Sequence, residues 1–296
     1  MDISVVIVTT NSAQHIANCL RSIREKTNGV DYEVIVADNG STDGTIDIIK
    51  KEFPWVTLVE NGKNLGFGTA NNRGAEKATG EFLFILNDDT VLTENSFEIV
   101  VEKMRSDNSI GCFGYHLVNP DGSHQDSIRR FPRFIDQAII LTKLHNLLPK
   151  LRPVQRYWAT DIDYTQEQEV DQVMGACMVM PRYVFERAGG FDERFFVWFE
   201  EVDLQKRILE EQNKRVVYSP LTEMIHVKGA TFGRILSVVN QKRFNRSMRQ
   251  YFYKHHNPIV ATALVLLQPY ALLLAYMIQA VKKRGMRLDK YKHAQG

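Results

Sequence analysis

The 296-residue chain reads as an α/β protein, a mostly parallel central sheet flanked by helices, with a C-terminal helical segment suited to a membrane. Three observations predict this. Short apolar, β-branched runs alternate with stretches of helical periodicity over the first ninety residues, the pattern of βαβ units and a parallel sheet. Those runs end in polar, turn-forming loops. Residues 258–281 carry no charged side chain and have basic residues on both sides.

The elements follow in order. Ile3-Ser4-Val5-Val6-Ile7-Val8 predicts a first buried strand. Residues 13–27 place Ile16, Leu20 and Ile23 on one helical stripe, with Ser12 as the cap. A second strand over 32–37 ends in Asp38-Asn39-Gly40-Ser41-Thr42-Asp43-Gly44, a run of turn formers in which Asp43 is the better helix cap. A helix over 45–52, a strand over 56–59, a Gly-rich loop over 61–68, a helix over 69–78 and a strand over 81–86 complete the pattern. In such sheets ligands bind beyond the carboxyl ends of the strands. The polar loops at 9–11, 38–43 and 87–90 fall at those ends, so one shared site is expected. Residues 115–170 are less regular, with a helix around 134–148. Beyond them, 173–180 is apolar, 203–211 reads as a helix and 215–218 as a short strand.

Apolar residues make up 44% and charged residues 24%, as in an ordinary globular chain with enough length for a full core. The division expected is an α/β domain over 1–240 and a basic-aromatic and hydrophobic membrane-association region over 241–296. Cys19, Cys112 and Cys177 are scattered, odd in number and without metal-ligand spacing, which predicts small core residues in a reducing compartment. The N-terminus shows neither the basic stretch nor the cleavage site of a signal peptide. Net charge is +2, but residues 282–296 hold six Lys and Arg against Asp289 alone. A basic excess beside the most apolar stretch suggests a membrane surface and not nucleic acid.

The stretch 241–256 mixes Lys and Arg with Phe244, Tyr251, Phe252 and Tyr253. Residues 259–281 are then about as long as a spanning helix needs to be. Gln268-Pro269 is expected to kink or break that helix. An interfacial or re-entrant hairpin therefore competes with a clean span, and a buried helix or dimer interface is the plainest alternative.

Candidate chemistry begins with Asn87-Asp88-Asp89-Thr90, where a buried strand delivers two adjacent carboxylates into a loop. Their mutual repulsion calls for compensation. A hard divalent cation bridging to phosphate oxygens supplies it, since Mg²⁺ and Mn²⁺ take one or two carboxylates plus substrate phosphates. An ordinary surface turn is the alternative. Asp38 suits a base N–H or a ribose hydroxyl, or else a turn. Asn64, Gly66 and Gly68 allow close approach to a ligand, but in neither a GxxxxGK[ST] nor a post-strand GxGxxG arrangement. Trp198-Phe199-Glu200-Glu201-Val202-Asp203 surrounds acids with aromatics, which suits a general base with a raised pKa or the acidic first turn of a helix. His226 suits a metal or a diphosphate, or a structural role.

Taken together the motifs resemble the family 2 glycosyltransferases of GT-A fold, especially the bacterial rhamnosyltransferase-like branch. The residues that carry the resemblance are 5–11, Val36-Ala37-Asp38-Asn39-Gly40-Ser41 with Thr42-Asp43-Gly44, Asn64-Leu65-Gly66-Phe67-Gly68 with Asn71-Asn72 and Gly74, Leu86-Asn87-Asp88-Asp89-Thr90, Gly175-Ala176-Cys177-Met178, 189–196 and 199–204, spread over about 3–232. The resemblance implies an inverting, metal-dependent glycosyltransferase with a Rossmann-like sheet. It implies that Thr9, Asn11, Asp38, Asn39, Asn64, Gly66, Asn71 and Asp88 bind a nucleotide-sugar donor. Asp89 is then a ligand of Mg²⁺ or Mn²⁺, with Asp88 nearer the ribose and His226 near metal and diphosphate. Glu201 is the catalytic base, with Glu200 second; the second acid of this pair is commonly Asp in the family and is Glu here. The branch suggests dTDP-L-rhamnose as donor, with UDP-galactofuranose, UDP-glucose and UDP-GlcNAc as alternatives. The C-terminal region suggests a polyprenyl-diphosphate-linked saccharide acceptor at the cytoplasmic face of a bacterial membrane, and a homo-oligomer is allowed. A sugar-nucleotidyltransferase would carry a basic Gly-rich loop where Thr9-Thr10-Asn11-Ser12 stands. A catalytically silent membrane-associated binding protein on this fold is the reading from another class, and it leaves the acidic clusters without a purpose.

Overall fold

The β-branched runs form strands buried on both faces, as parallel sheets require. The computed structural model describes residues 1–227 and 237–293; the end of the motif-bearing stretch (228–232) and the side chains of the basic tail from 282 onward lie outside the described residues. β1 (Ile3–Thr9), α1 (Ile16–Lys26), β2 (Tyr32–Asp38), α2 (Thr45–Glu52), β3 (Thr57–Glu60), α3 (Phe67–Ala75) and β4 (Phe82–Asn87) alternate as expected. β1 pairs in parallel with β2 and with β4, and β2 with β3. The chain continues through β5 (Thr90–Leu92), α4 (Ser96–Ser106), β6 (Ile110–Val118), β7 (His124–Gln125), β8 (Ile128–Arg129), α5 (Phe134–Leu141), a 3-10 turn at Leu144–Asn146 and α6 (Arg152–Tyr157). It ends with β9 (Gln168–Glu169), β10 (Gln172–Val173), β11 (Cys177–Pro181), α7 (Arg182–Arg187), α8 (Glu200–Gln212), β12 (Arg215–His226), α9 (Ser237–His255) and α10 (Pro258–His293). The main sheet runs β3-β2-β1-β4-β11-β6-β12-β5. β11 inserts antiparallel between β4 and β6, which makes the sheet mixed on that side.

Side-chain alternation along the strands builds two apolar layers. Val5 and Ile7 pack with Ile16, Leu20 and Ile23 of α1 and with Phe97 and Val100 of α4. Val6, Leu83 and Ile85 face the opposite layer with Phe191, Leu204 and Ile208. Each such side chain contributes about 1.5–3 kcal/mol when fully buried. Gly74 lets α3 approach β1 closely, since a Cβ there would come within 2.4 Å of Val6 Cγ1. All three cysteines are free and buried, and burial pushes Cys19 and Cys112 up to about 12, so they are core residues without thiolate chemistry.

Several expectations are corrected. Ser12 does not cap α1: the helix begins at Ile16 with no side-chain cap, and it is the Ser12 carbonyl that accepts the His15 and Ile16 N–H groups. The helix expected over 134–148 stops at Leu141, and a short 3-10 turn follows. The 203–211 helix begins earlier, at Glu200, and the short 215–218 strand extends to His226. Gln268-Pro269 does not break the apolar segment, because α10 runs continuously past Pro269.

The described residues fall into two compact units, drawn from Met1–Phe131 with Trp158–Ala230 and from Pro132–Tyr157 with Thr231–Gly296. Residues 132–157 thus lie with the C-terminal helices, although they fall inside the 1–240 range expected for the α/β domain. In the second unit α10 packs on α9 and α5, and Pro258–Val281 is long and apolar enough to cross a membrane by length and composition.

α8 is tied down by an ion pair in the core of the first unit. Asp203 lies 2.8 Å from Arg207, whose guanidinium also donates to the carbonyls of Ala188 and Gly190. Removing one partner of a buried pair leaves the other charge uncompensated. Asp203→Ala is therefore expected to destabilise the protein by about 3–5 kcal/mol in urea unfolding; a loss below about 1 kcal/mol would show that Arg207 finds another partner.

Candidate active site

The register of the parallel strands sets the site. Thr9 pairs with Asp38 and Val8 with Asn87, so β1, β2 and β4 end level with one another. Thr9 Oγ1 donates to Asp88 Oδ2 at 2.6 Å, and Asn39 N–H donates to the Thr9 carbonyl at 2.8 Å. Asp38 Oδ2 accepts the N–H groups of Gly40 and Ser41, while its buried Oδ1 has no partner among the described residues. Asn11, with φ +53°, donates its N–H to Ser41 Oγ and accepts the Thr42 N–H at 2.8 Å, joining the first two loops.

The third loop closes over these. Asn39 Nδ2 donates to the Gly66 carbonyl at 3.1 Å, and Asn64 Oδ1 accepts the Gly66 N–H at 2.9 Å. Gly66 has φ +88°, and a Cβ there would sit 2.2 Å from the Phe196 carbonyl oxygen, so only glycine fits. Asn71 is fully buried, donates to the Phe67 carbonyl of its own helix, and leaves Oδ1 without a partner among the described residues. Asn72, given no role from the sequence, clamps both backbone groups of Phe191 at 2.9 Å.

Burial pushes the Asp88 carboxyl up to about 6, opposed by the Thr9 hydroxyl and reinforced by the Asp89 charge. Asp89 is also buried, and its Oδ1 lies 3.3 Å from His226 Nε2 without a hydrogen bond between them. The Asp89 carbonyl accepts the Val227 N–H, and β12 pairs His226 with Thr90, which brings His226 to the carboxylate pair from 137 positions along the chain.

Gln125 fixes the form of that histidine, and nothing in its sequence surroundings signals it. Its Nε2 donates to the His226 carbonyl at 3.2 Å, and a carbonyl can only accept. Its Oε1 must then be the atom 2.6 Å from His226 Nδ1, so Nδ1 carries the proton. Asn119 confirms the assignment, since its Nδ2 faces the His124 carbonyl and its Oδ1 accepts from Gln125. In the neutral ring Nε2 is consequently a lone pair, facing Asn87 Nδ2 at 3.3 Å and the unpartnered Asp89 oxygen. Two acceptors converging in a buried place suit a cation. Among the described residues no three His, Cys, Asp or Glu side chains gather into a metal cage.

Glu200 and Glu201 open α8. Trp198 and Phe199 precede them at φ +63° and +68°, two bulky residues in the left-handed region, a strain of about 1–3 kcal/mol each that the surroundings must hold. The turn drives both acids inward. Glu200 is buried and Glu201 half-buried, and Oε2 of each has no partner among the described residues. Burial pushes both above the ordinary glutamate range, and the Glu201 charge adds to the rise at Glu200. Glu200 packs beside Gly68, and Glu201 beside Gly175. The Ala176 carbonyl next to Gly175 accepts the Asn87 N–H, so one dipeptide links the acid pair to the aspartate pair.

A mixed α/β sheet whose strand ends gather three polar loops and a carboxylate pair, with a second buried acid pair beside them, has the arrangement of a GT-A glycosyltransferase. The family model described as glycosyl transferase family 2 matches residues 4–187, and the chain belongs to that family. It is 32% identical over 247 residues to the N-acetylglucosaminyl-diphospho-decaprenol L-rhamnosyltransferase of Mycobacterium tuberculosis, covering 78% of this chain and 77% of that one. It is 25% identical to the O-antigen biosynthesis protein RfbC of Myxococcus xanthus over 77% of this chain, which spans only 17% of that protein. Among solved structures it is similar to the mannosyltransferase PcManGT of Pyrobaculum calidifontis in complex with GDP-Man and Mn²⁺, with a TM-score of 0.58 and 19% identity over 99% of this chain and 79% of that one. GalNAc-T7 with UDP, GalNAc and Mn²⁺ matches with a TM-score of 0.57 and 20% identity, over 77% of this chain and 44% of that one.

Two outcomes follow. The folded Asp88 carboxyl keeps its proton to about 6, whereas an unfolded one releases it near 4. The metal-free fold is favoured below that lower value, and the advantage is lost as pH rises through 6. Asp88→Asn should therefore raise metal-free stability at pH 8 by about 2–3 kcal/mol and change it little below pH 4, read by thermal melts. For Gln125, ¹⁵N-detected NMR of the metal-free protein should show His226 protonated at Nδ1, with Gln125→Leu redistributing the proton and Gln125→Glu preserving it. A wild-type Nε2–H tautomer would refute the assignment.

Proposed function

We propose that this glycosyltransferase moves L-rhamnose from dTDP-L-rhamnose to a polyprenyl-diphosphate-linked saccharide, with inversion, in bacterial cell-surface polysaccharide synthesis at the cytoplasmic face of the membrane. The observation that carries the chemistry is the pair of buried acid clusters, Asp88–Asp89 and Glu200–Glu201. Each has a carboxylate oxygen without a partner among the described residues, and the two are joined through Gly175–Ala176. The mycobacterial relative, an L-rhamnosyltransferase acting on an N-acetylglucosaminyl-diphospho-decaprenol, supports the sugar and the lipid-linked acceptor.

In this reading Asp38 Oδ1, which has no partner among the described residues, accepts a donor from the base or ribose, and Thr9, Asn11, Asn39, Asn64, Gly66 and Asn71 shape the pocket around it. Asp89, Asp88 and His226 would hold Mg²⁺ or Mn²⁺, which supplies neutralisation of the charge that develops on the departing diphosphate. Glu201 takes the proton from an acceptor hydroxyl. The hydroxyl oxygen forms a bond to the anomeric carbon as the bond to the nucleoside diphosphate breaks, and a single displacement inverts the centre. Glu200 borders Glu201, whose charge makes Glu200 the harder of the two to ionise.

Glu201→Gln should lower kcat by about 10²–10⁴-fold, the usual span of general-base catalysis, while dTDP-rhamnose still raises the melting temperature. Asp89→Ala should abolish the Mn²⁺-dependent part of that shift. Rates within a few-fold of wild type for Glu201→Gln would remove it as the base, and turnover with a UDP-sugar in place of dTDP-rhamnose would replace the donor. As pH falls, kcat/KM should decline along a limb lying above the ordinary glutamate value, and Glu201→Gln should flatten it.

A further inference from the structure

We infer that α9 and α10 together form an antiparallel hairpin that lies along one face of an anionic bilayer and does not cross it. The inference sharpens the membrane attachment proposed above, and its test needs no turnover, so it stands or falls apart from the transfer reaction.

The hairpin is bonded along its length. Tyr253 Oη meets Thr262 Oγ1 at 3.0 Å near the turn. At mid-length Gln268 Nε2 donates to the Asn245 carbonyl at 2.8 Å, with Asn245 Nδ2 returning to the Gln268 carbonyl. At the far end Val238 N–H donates to Gln279 Oε1. Ala261, Leu264, Ala271 and Ala275 form the buried seam of α10, with spacings of three, seven and four residues. The opposite stripe is exposed and apolar: Ile259 is 79%, Leu266 75%, Leu273 56% and Val281 71% exposed. An exposed helix face in water is ordinarily charged, and this one has no charged residue from 258 to 281.

Length alone permits a span, because 24 residues reach about 36 Å. The partner helix forbids it. α9 runs beside the same stretch of α10 and carries Lys242, Arg243, Arg246, Arg249 and Lys254. Lys242, Arg246 and Arg249 are exposed at spacings of four and three, one cationic stripe. If α10 crossed, the bonds at Asn245 would hold Arg243, Arg246 and Arg249 near the bilayer centre. Each would weaken insertion by roughly a hundredfold. Lying at the interface, the hairpin keeps these cations at headgroup level and buries the apolar stripe.

Charge selects the partner. The second unit holds 17 Lys and Arg against 2 acids, a net +15, while the other residues hold 20 against 33, a net −13. Such a unit repels its own copy and attracts anionic lipid. Nucleic acid offers the apolar stripe nothing. In the same unit Leu147 and Leu148 are exposed between Lys143 and Lys150, and no acid occurs from 137 to 160.

The test places single nitroxide labels at Ile259→Cys, Leu266→Cys, Leu273→Cys and Val281→Cys of the full chain, whose native cysteines are buried. Vesicles of phosphatidylglycerol with phosphatidylcholine are used, with depth read by power-saturation EPR. The expected result is one shallow depth for all four labels, about 5–10 Å below the headgroups. Binding should fall at least tenfold in pure phosphatidylcholine or in high salt. Replacing Lys242, Arg246 and Arg249 by Gln should reproduce that fall. Labels 266 and 273 at the bilayer centre, with 259 and 281 at opposite surfaces, would overturn the inference in favour of a span. Failure to bind anionic vesicles, with a concentration-dependent dimer instead, would overturn it in favour of self-association.

Discussion

The site depends on one constraint, the level ending of three parallel strands. Because Thr9 is in register with Asp38 and Val8 with Asn87, three loops leave the sheet at one height. Packing enforces this, since a one-residue slip would move every buried Val and Ile from the apolar layer it fits into the opposite one. The apolar layers that hold the register therefore also hold the chemistry. The Thr9–Asp88 and Asn39–Thr9 bonds are consequences of that alignment and add little on their own.

The price of the arrangement is a set of buried carboxylates. Asp38, Asp88, Asp89 and Glu200 are all buried, and Oδ1 of Asp38, Oδ1 of Asp89 and Oε2 of Glu200 have no hydrogen bond among the described residues. A buried polar atom left unpaired costs about 1–3 kcal/mol. The left-handed Trp198 and Phe199 add strain at the same place. Unpaired polar atoms and strained backbone gathered in one region mark a place built for binding and not for stability. The Asp203–Arg207 pair in the same unit is the contrast, two buried charges that meet each other and two backbone carbonyls.

What was legible in the sequence is what depends on local patterning. The four parallel strands, their intervening helices and the three strand-end loops follow from β-branched runs and turn formers, each read within about ten residues. The Asp88–Asp89 and Glu200–Glu201 pairs were visible because adjacent acids after an apolar or aromatic run are conspicuous. Gln125 was not, because its partner His226 lies 101 positions away and only the β6, β7 and β12 strands bring them together. The persistence of α10 through Pro269 was equally hidden. A proline removes one local bond, whereas the side-chain and backbone bonds between Asn245 and Gln268 that hold α10 at that level come from another helix.

The coupling of Glu200 to Glu201 bears on which of them acts as base in the proposed reaction. Two carboxylates forced together release their protons in two steps that belong to the pair. Burial raises both acids, but it carries Glu200 well above its ordinary range with the Glu201 charge adding to the rise, so Glu201 is the first to ionise. Glu200, fully enclosed beside Gly68, keeps its proton longer, and the charge on Glu201 strengthens its hold. A protonated Glu200 is neutral and so does not repel the ionised Glu201 beside it. The longer reach of glutamate at position 201 then matters less than its setting. In the proposed reaction Glu201 is then the base, beside the Gly175–Ala176 dipeptide that leads to the aspartate pair.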